Sequence, residues 1–352
     1  MVELTRLGDV ITMLPAVESL SRHFTQARIH LLVDSRYSPF LQALDLPCEI
    51  HGIEKPESIR GFLRAVAFVR SLDVDLALSI SPPKRNAAVT LTSGAPRKVG
   101  YLTFAHSLTP YLQTTPVEAF GCTLAQHVSY GRENIEERSL KLCDALGIRR
   151  EGAGPVVHLT EEIVETRRNA LSARGEMPAR EFIVIHPFSG WEYRSWSIDR
   201  YNRLAEMLLE RTNHAIIFMC EKSEEKMMET SRRRFSNRDD VSFFVSDDLV
   251  ATAVLLKDAA MVVCNDSGPL HLASALGTRC VALFGPAPAS LTAPRHAVGT
   301  FLYKKTECSP CDQCACIRPE NSCMSLISPE EVLDATLKEL SLVPAVTAVA
   351  NA

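Results

Sequence analysis

No apolar run in this chain of 352 residues approaches the roughly 20 that a membrane-spanning helix needs. No signal-peptide pattern is visible either. The N-terminus enters strand-like sequence at once, and a cytoplasmic location is expected. Charge of one sign is scarce: 38 basic and 42 acidic residues leave a formal −4, and bulk charge argues against a nucleic-acid partner. The excess is mildly uneven, with 17 Lys and Arg against 15 Asp and Glu in residues 1–150 and 21 against 27 in the remainder. No internal repeat and no G-x-G-x-x-G turn occurs, which argues against a nicotinamide enzyme. With 46% hydrophobic and 23% charged residues the composition is that of a soluble globular protein, and the length suits two domains. Eleven cysteines then read as reduced core residues or ligands, not as a disulfide framework.

The most informative stretch runs from Asn265 to Gly277. Met261-Val262-Val263-Cys264 reads as a buried strand, Gly277 closes a helix, and Cys280–Phe284 reads as the next strand. Asp266 or Ser267 suits the N-cap, and Pro269 suits the first turn. Gly268 allows close backbone approach by a ligand, and free N–H groups at a helix start attract phosphate. A plain cap and a phosphate clamp account for these residues equally well.

The chain opens with strand Val2–Thr5 and turn Arg6-Leu7-Gly8-Asp9. Pro15 belongs in a first turn, so the helix carrying Met13, Leu14, Val17, Leu20 and Phe24 is expected to start near Thr12. Asp9 is then in the loop, either as a cap or as a carboxylate at the carboxyl end of the first strand, where open α/β sheets bind ligands. Strand 29–33, helix 58–71, strand 76–80, a loop at 82–85 and helix 86–92 continue an alternating pattern. Weak periodicity predicts loop from Tyr101 to about Glu133, then helix 135–146 ending at Gly147. A second series follows: helix 160–174, strand 182–185, loop 186–190, helix 198–211, strand 215–220, an acidic loop 221–225, strand 241–245 and helix 249–259. The expected organisation is α/β, with two Rossmann-like domains over 1–155 and 181–342, a linker helix region over 156–180, and a frayed tail over 343–352.

These pieces resemble glycosyltransferase family 9, the ADP-heptose–lipopolysaccharide heptosyltransferases. The resemblance rests on Leu7-Gly8-Asp9 with Leu14-Pro15-Ala16, on Arg194-Ser195-Trp196, on Asn265 to His271, and on Val281-Ala282-Leu283-Phe284-Gly285-Pro286. All stand in the family's order across residues 1 to about 340. Departures are a short first strand, His186-Pro187-Phe188-Ser189-Gly190 where Pro-Gly-Ala/Thr is usual, and arginine for the frequent lysine at 194.

The resemblance implies a GT-B arrangement of two domains facing across a cleft, acceptor on the first and donor nucleotide on the second. It implies inverting transfer of a heptose, or a related sugar, from an ADP-sugar to an anionic lipopolysaccharide inner-core or lipid A acceptor. Peripheral contact with the inner face of the cytoplasmic membrane follows, and no cofactor is required for catalysis. Asp9 would be the general base. Ser189, Gly190, Arg194, Glu224, Asp266, Ser267, Gly268 and His271 would hold the donor, and Gly8, Arg60, Lys84 and Arg85 the acceptor. Between Arg60 and Lys98 stand seven basic residues and two acids, which suit an anionic partner or a solvated face. Asp73-Val74-Asp75 is formally D-x-D, the metal signature of another glycosyltransferase fold, but it enters a strand of the acceptor domain. Cys308, Cys311, Cys314, Cys316 and Cys323 have the spacing of a structural zinc or iron–sulfur site; free thiols are the alternative. Two rival functions are a nucleotide-sugar epimerase on the same fold and a non-catalytic nucleotide-sugar-binding protein.

Overall fold

Each of the two alternating series closes into its own parallel sheet. The computed structural model describes residues 1–79, 84–100, 102–103, 114–115, 134–150, 154–311 and 316–342. The N-terminal unit runs β1 (Val2–Glu3), α1 (Leu7–Thr12), α2 (Leu14–His23), β2 (His30–Asp34), α3 (Ser38–Gln42), β3 (Glu49–Ile53), α4 (Ile59–Ser71), β4 (Leu76–Ser79), α5 (Lys84–Leu91) and β5 (Arg97–Gly100). Its strands lie in the order β3-β2-β1-β4-β5. A two-residue antiparallel pair, β6 (Leu102–Thr103) with β7 (Thr114–Thr115), stands apart. Helices α6 (Ile135–Ala145) and α7 (Glu161–Ala173) lead to the second unit.

That unit runs β8 (Phe182–His186), α8 (Ile198–Arg211), β9 (Ala215–Cys220), α9 (Glu229–Arg234), β10 (Val241–Val245), α10 (Leu249–Asp258), β11 (Met261–Asn265), α11 (Gly268–Ala275), β12 (Cys280–Phe284), α12 (Ala289–Thr292), β13 (Gly299–Tyr303) and α13 (Pro329–Ser341). Its sheet order is β10-β9-β8-β11-β12-β13. The fully buried runs of β8, β9, β11 and β12 are what a sheet covered on both faces requires. One core contains Trp196, Tyr201, Leu204 and Leu333 from the α8 and α13 side. A second is continuous between units, joining Leu7, Val10 and Ile11 to Val254, Leu270 and Leu272, and a third packs Val2, Leu4 and Leu32 against Ala65 and Val69. Asn134 Nδ2 also donates to the Ala293 carbonyl at 2.7 Å, and Arg295 pairs with Glu137.

The order in which strands are added switches sides at β1 in the first sheet and at β8 in the second, which places the ligand crevices of such sheets at the carboxyl ends of β1/β4 and β8/β11. The loops carrying Arg6–Asp9, Ser189–Arg194 and Asp266–Ser267 start from those ends.

Two local expectations are corrected. Asp9 is not in a loop: it stands in the first turn of α1, whose Leu7, Val10 and Ile11 are buried. Pro15 does lie in a first turn, that of α2, and the two helices meet at Met13. The acidic loop at 221–225 is a 3-10 helix over Lys222–Met228, in which Glu224 accepts from the Glu221 N–H at 3.1 Å. The loop at 82–83, most of 101–133, the boundary residues 151–153 and the tail 343–352 lie outside the described residues.

Candidate active site

The second domain's wall is organised by Asn265, which is fully buried at the end of β11. Its Oδ1 accepts from the Trp196 N–H at 3.0 Å and from the Tyr201 hydroxyl at 2.9 Å, and its Nδ2 donates to the Pro187 carbonyl at 2.8 Å. One amide thus fixes both ends of the β8–α8 connection. Asp266 is also buried, and its Oδ2 accepts from Arg194 Nη1 at 2.8 Å and Thr292 Oγ1 at 3.0 Å. It is spent on Arg194 and does not cap α11. Ser267 is the N-cap residue, but its hydroxyl turns back to the Asn265 carbonyl at 3.2 Å and makes no cap bond. The plain-cap reading of this turn fails, and the first N–H groups of α11 take no side-chain partner from it.

The opposite wall is α1. Arg6, its N-cap residue, lies 4.7 Å over the Trp191 ring, in the field of Arg194, Asp9 and Asp266. A Cβ built on Gly190 would stand 3.2 Å from Arg6 Nη1. The half-buried Asp9 carboxylate has no hydrogen bond or ion pair among the described residues. Gly8 is buried, and a Cβ there would come within 2.8 Å of His271 Cδ2, so glycine permits α1 to pack on α11. The buried His271 imidazole is pushed below its usual pKa, chiefly by burial, with Asp266 and Asp9 opposing. Its Nδ1 has no partner among the described residues.

Asp9, Gly8, Gly190, Arg194, Asp266, Gly268 and His271 are therefore brought to one interdomain cleft. Ser189 lies at its edge, with its hydroxyl 3.4 Å from the Asp266 carbonyl. Glu224 is farther along the β8–β9 side, 3.9 Å from His186 Nε2, with its carboxyl pushed up chiefly by burial. His186 is held near pKa 4 by burial. A histidine depressed in the folded state favours folding above its unfolded pKa, and that contribution is lost as pH falls from about 6.5 to about 4. Roughly 3 kcal/mol of stability should go through this group, and urea unfolding against pH should lose much of its acid-side slope in His186→Gln.

The predicted basic face divides. Lys55, after β3, lies in the field of Arg85, Arg36 and Arg6, and its ammonium is pushed down first by burial and then by Arg85. Arg36 pairs with the buried Asp34 at 2.9 Å, while Arg85 Nη1 is buried without a partner among the described residues. Arg60 is exposed on α4, and the Lys84 side chain lies outside the described residues. Arg97 opens β5, and Asp73 and Asp75 precede β4, at the sheet edge away from the cleft. Sequence reasoning left Arg6, Lys55 and Asn265 without roles. Arg6 adjoins the Leu-Gly-Asp turn and Asn265 opens the motif, but Lys55 carries no local signal.

Of the cysteine run, Cys314 lies outside the described residues. Cys308, Cys311, Cys316 and Cys323 line a cavity of 720 Å³ beside Tyr193 and Trp196. The Cys323 thiol is pushed up to about 11, chiefly by burial, with Cys311, Cys308 and Cys316 adding to the effect. Their sulfurs do not meet as a set of three within 4.8 Å, so the described thiols alone do not make a metal centre. Among the described residues no helix is long and apolar enough to cross a membrane.

The description glycosyltransferase family 9 (heptosyltransferase) matches residues 70–320. The lipopolysaccharide heptosyltransferase 3 of Escherichia coli K12 is 20% identical over 285 residues, covering 79% of each chain. A family 9 glycosyltransferase from Veillonella parvula superposes with a TM-score of 0.76 at 19% identity, over 97% of this chain and 96% of that one. The E. coli ADP-heptose lps heptosyltransferase II does so at 0.72 and 17%, over 97% of each. With its two Rossmann-like domains and its family match across most of the sequence, the chain belongs to glycosyltransferase family 9, the heptosyltransferase family, and is a glycosyltransferase.

Proposed function

We propose that the protein transfers a heptose from ADP-heptose to a hydroxyl of a lipopolysaccharide inner-core acceptor, with inversion at the anomeric carbon. One observation carries the reading: the Asp9 carboxylate on α1, without a hydrogen bond or ion pair among the described residues, lies in the field of His271 on α11, whose start has no side-chain cap. Asp9 takes the proton as the acceptor oxygen bonds to the anomeric carbon. The bond from that carbon to the diphosphate breaks, and its electron pair leaves with the phosphate oxygen. The developing charge is met by the N–H groups at Ser267–Gly268, the helix dipole and Arg194, which Asp266 aims. Ser189 and Gly190 contribute from the facing loop, the uncharged His271 ring closes the cleft floor, and Glu224 reaches the ribose. These groups meet the diphosphate charge without a metal ion.

Arg6, Arg36, Lys55 and Arg85 surround the acceptor side and suit carboxylates or phosphates of the core, with Arg60 and Lys84 extending that face. On α4 the exposed Ile59 and Leu63 lie beside Arg60 and Arg64, a pairing that suits an anionic leaflet. Sedimentation with phosphatidylglycerol vesicles should retain the protein, and Ile59→Ser with Leu63→Ser should release it.

Thermal-shift screening of nucleotide-diphosphate sugars, followed by transfer onto truncated core acceptors, tests the main reading. Product formed from donor alone would favour an epimerase, and binding without turnover a non-catalytic binder. Arg194→Ala should cut transfer roughly 10²–10³-fold by removing a preorganised donor to the leaving group. Arg194→Lys should recover part of that loss, and equal activity in all three proteins would remove Arg194 from the mechanism.

We also propose that the cysteine run, with Cys314, holds a structural zinc or iron–sulfur group that braces the β13–α13 connection. Metal analysis of anaerobically purified protein should find zinc or iron that is lost in Cys308→Ser with Cys311→Ser, and metal content unchanged in that variant would overturn it.

A further inference from the structure

His30 opens β2, Glu49 opens β3, and the two are register partners on adjacent parallel strands. His51 follows two residues after Glu49, beside Leu32. Strand alternation therefore turns all three side chains to one face of the sheet, the face that packs Leu32 against Ile53 and Phe68. There His30 Nδ1 lies 3.0 Å from His51 Nε2 and 3.2 Å from Glu49 Oε2, and His51 Nε2 lies 3.9 Å from the same oxygen. A tetrahedral ion with ligand bonds of about 2.0–2.1 Å sets its ligand atoms roughly 3.3 Å apart, so the three edges bracket that spacing.

Without an ion, a proton on His30 Nδ1 serves His51 Nε2 and Glu49 Oε2 only as a shared, three-centre donor. A divalent cation satisfies all three at once. The His51 ring is also braced, 5.2 Å from the Phe68 ring in an edge contact. The Met1 amine donates to the His30 carbonyl at 2.7 Å and ties the chain start to β2. Cys48, the residue before Glu49, packs into the core shared between the units.

We propose that His30, Glu49 and His51 form a binding site for a divalent transition ion of the zinc type, with water completing its coordination. The site lies at the amino-terminal edge of the sheet, opposite the cleft, and clamps the outermost strand β3 to β2. Its role is stability, independent of the transfer reaction.

Cobalt(II) titration of the full-length protein, followed by visible absorption, tests the assignment. One equivalent should bind with the d–d bands of nitrogen and oxygen ligation and without a thiolate charge-transfer band, which separates this site from the cysteine run. Removing a ligand should cost at least the roughly 10–100-fold that second-shell changes cost, in both His51→Ala and Glu49→Gln. Glu49 is exposed, so the second variant keeps the fold if the first does not. Cobalt uptake accompanied only by thiolate bands, affinity unchanged in Glu49→Gln, or no uptake below millimolar cobalt would each overturn the proposal.

Discussion

Asp9→Asn is expected to lower kcat by roughly 10²–10⁴-fold while nucleotide affinity stays near that of the unaltered protein, because general-base catalysis contributes on that scale. The amide keeps the size of the side chain and loses only the ability to take a proton. No described group hydrogen-bonds the Asp9 carboxylate, so the substitution breaks no hydrogen bond among the described residues. The bland alternative is that Asp9 merely favours the α1 dipole from its first turn, a contribution of roughly 0.3–1 kcal/mol. That role would cost a little stability and almost no activity, so the two accounts differ by orders of magnitude in rate. Steady-state transfer kinetics with calorimetric titration of ADP would separate them. Near-normal transfer by Asp9→Asn would sink the base assignment. Asp9→Glu is the companion measurement: it keeps the base but displaces it by one methylene, and misplacement by about 1 Å can cost around 10² in rate.

The second large effect concerns stability. Asn265→Leu keeps the volume of a fully buried side chain but strands the Trp196 N–H, the Tyr201 hydroxyl and the Pro187 carbonyl. Each of the three buried polar groups left unsatisfied costs about 1–3 kcal/mol, so a loss of roughly 3–9 kcal/mol is expected from denaturant unfolding. Against a typical domain stability of about 5–15 kcal/mol, that is a large fraction. Activity should fall further than stability requires at temperatures where the variant remains folded. The freed loop carries Ser189, Gly190 and Arg194, and kcat/KM should drop with it. A loss below about 1 kcal/mol would mean the loop finds other partners, and Asn265 would not be what positions it.

The strand–turn–helix–strand unit from Met261 to Phe284 was readable from residue order alone. Its signals are local: a continuous apolar run, proline and glycine at the helix start, and glycine after its end. The same holds for the limits of α4, α7 and α8, which hydrophobic spacing places; Ser58 and Thr160 cap α4 and α7 with their hydroxyls, whereas Ser197 makes no cap bond at α8. The motif order was sufficient to indicate the family and the two-domain fold. Other features depended on partners distant in the chain. Helix α1 is six residues long, too short to persist by propensity, and it holds because Leu7, Val10 and Ile11 join a core containing Leu270 and Leu272. The sequence offered Asp266 as an N-cap of α11 or as a donor-binding residue, and neither reading paired it with Arg194. The salt bridge at 2.8 Å, made in a buried setting, takes the carboxylate away from the cap. Arg6, Lys55 and Arg85 stand after β1, after β3 and in α5, and only the order β3-β2-β1-β4-β5 brings their charges together. The His30, Glu49 and His51 cluster likewise needs the parallel register of β2 on β3, which no local pattern specifies. Residue order determined the elements, the family and the chemistry available to each loop. Tertiary structure decided which of those groups face one another, because packing and sheet order, not chain proximity, set the distances between charges.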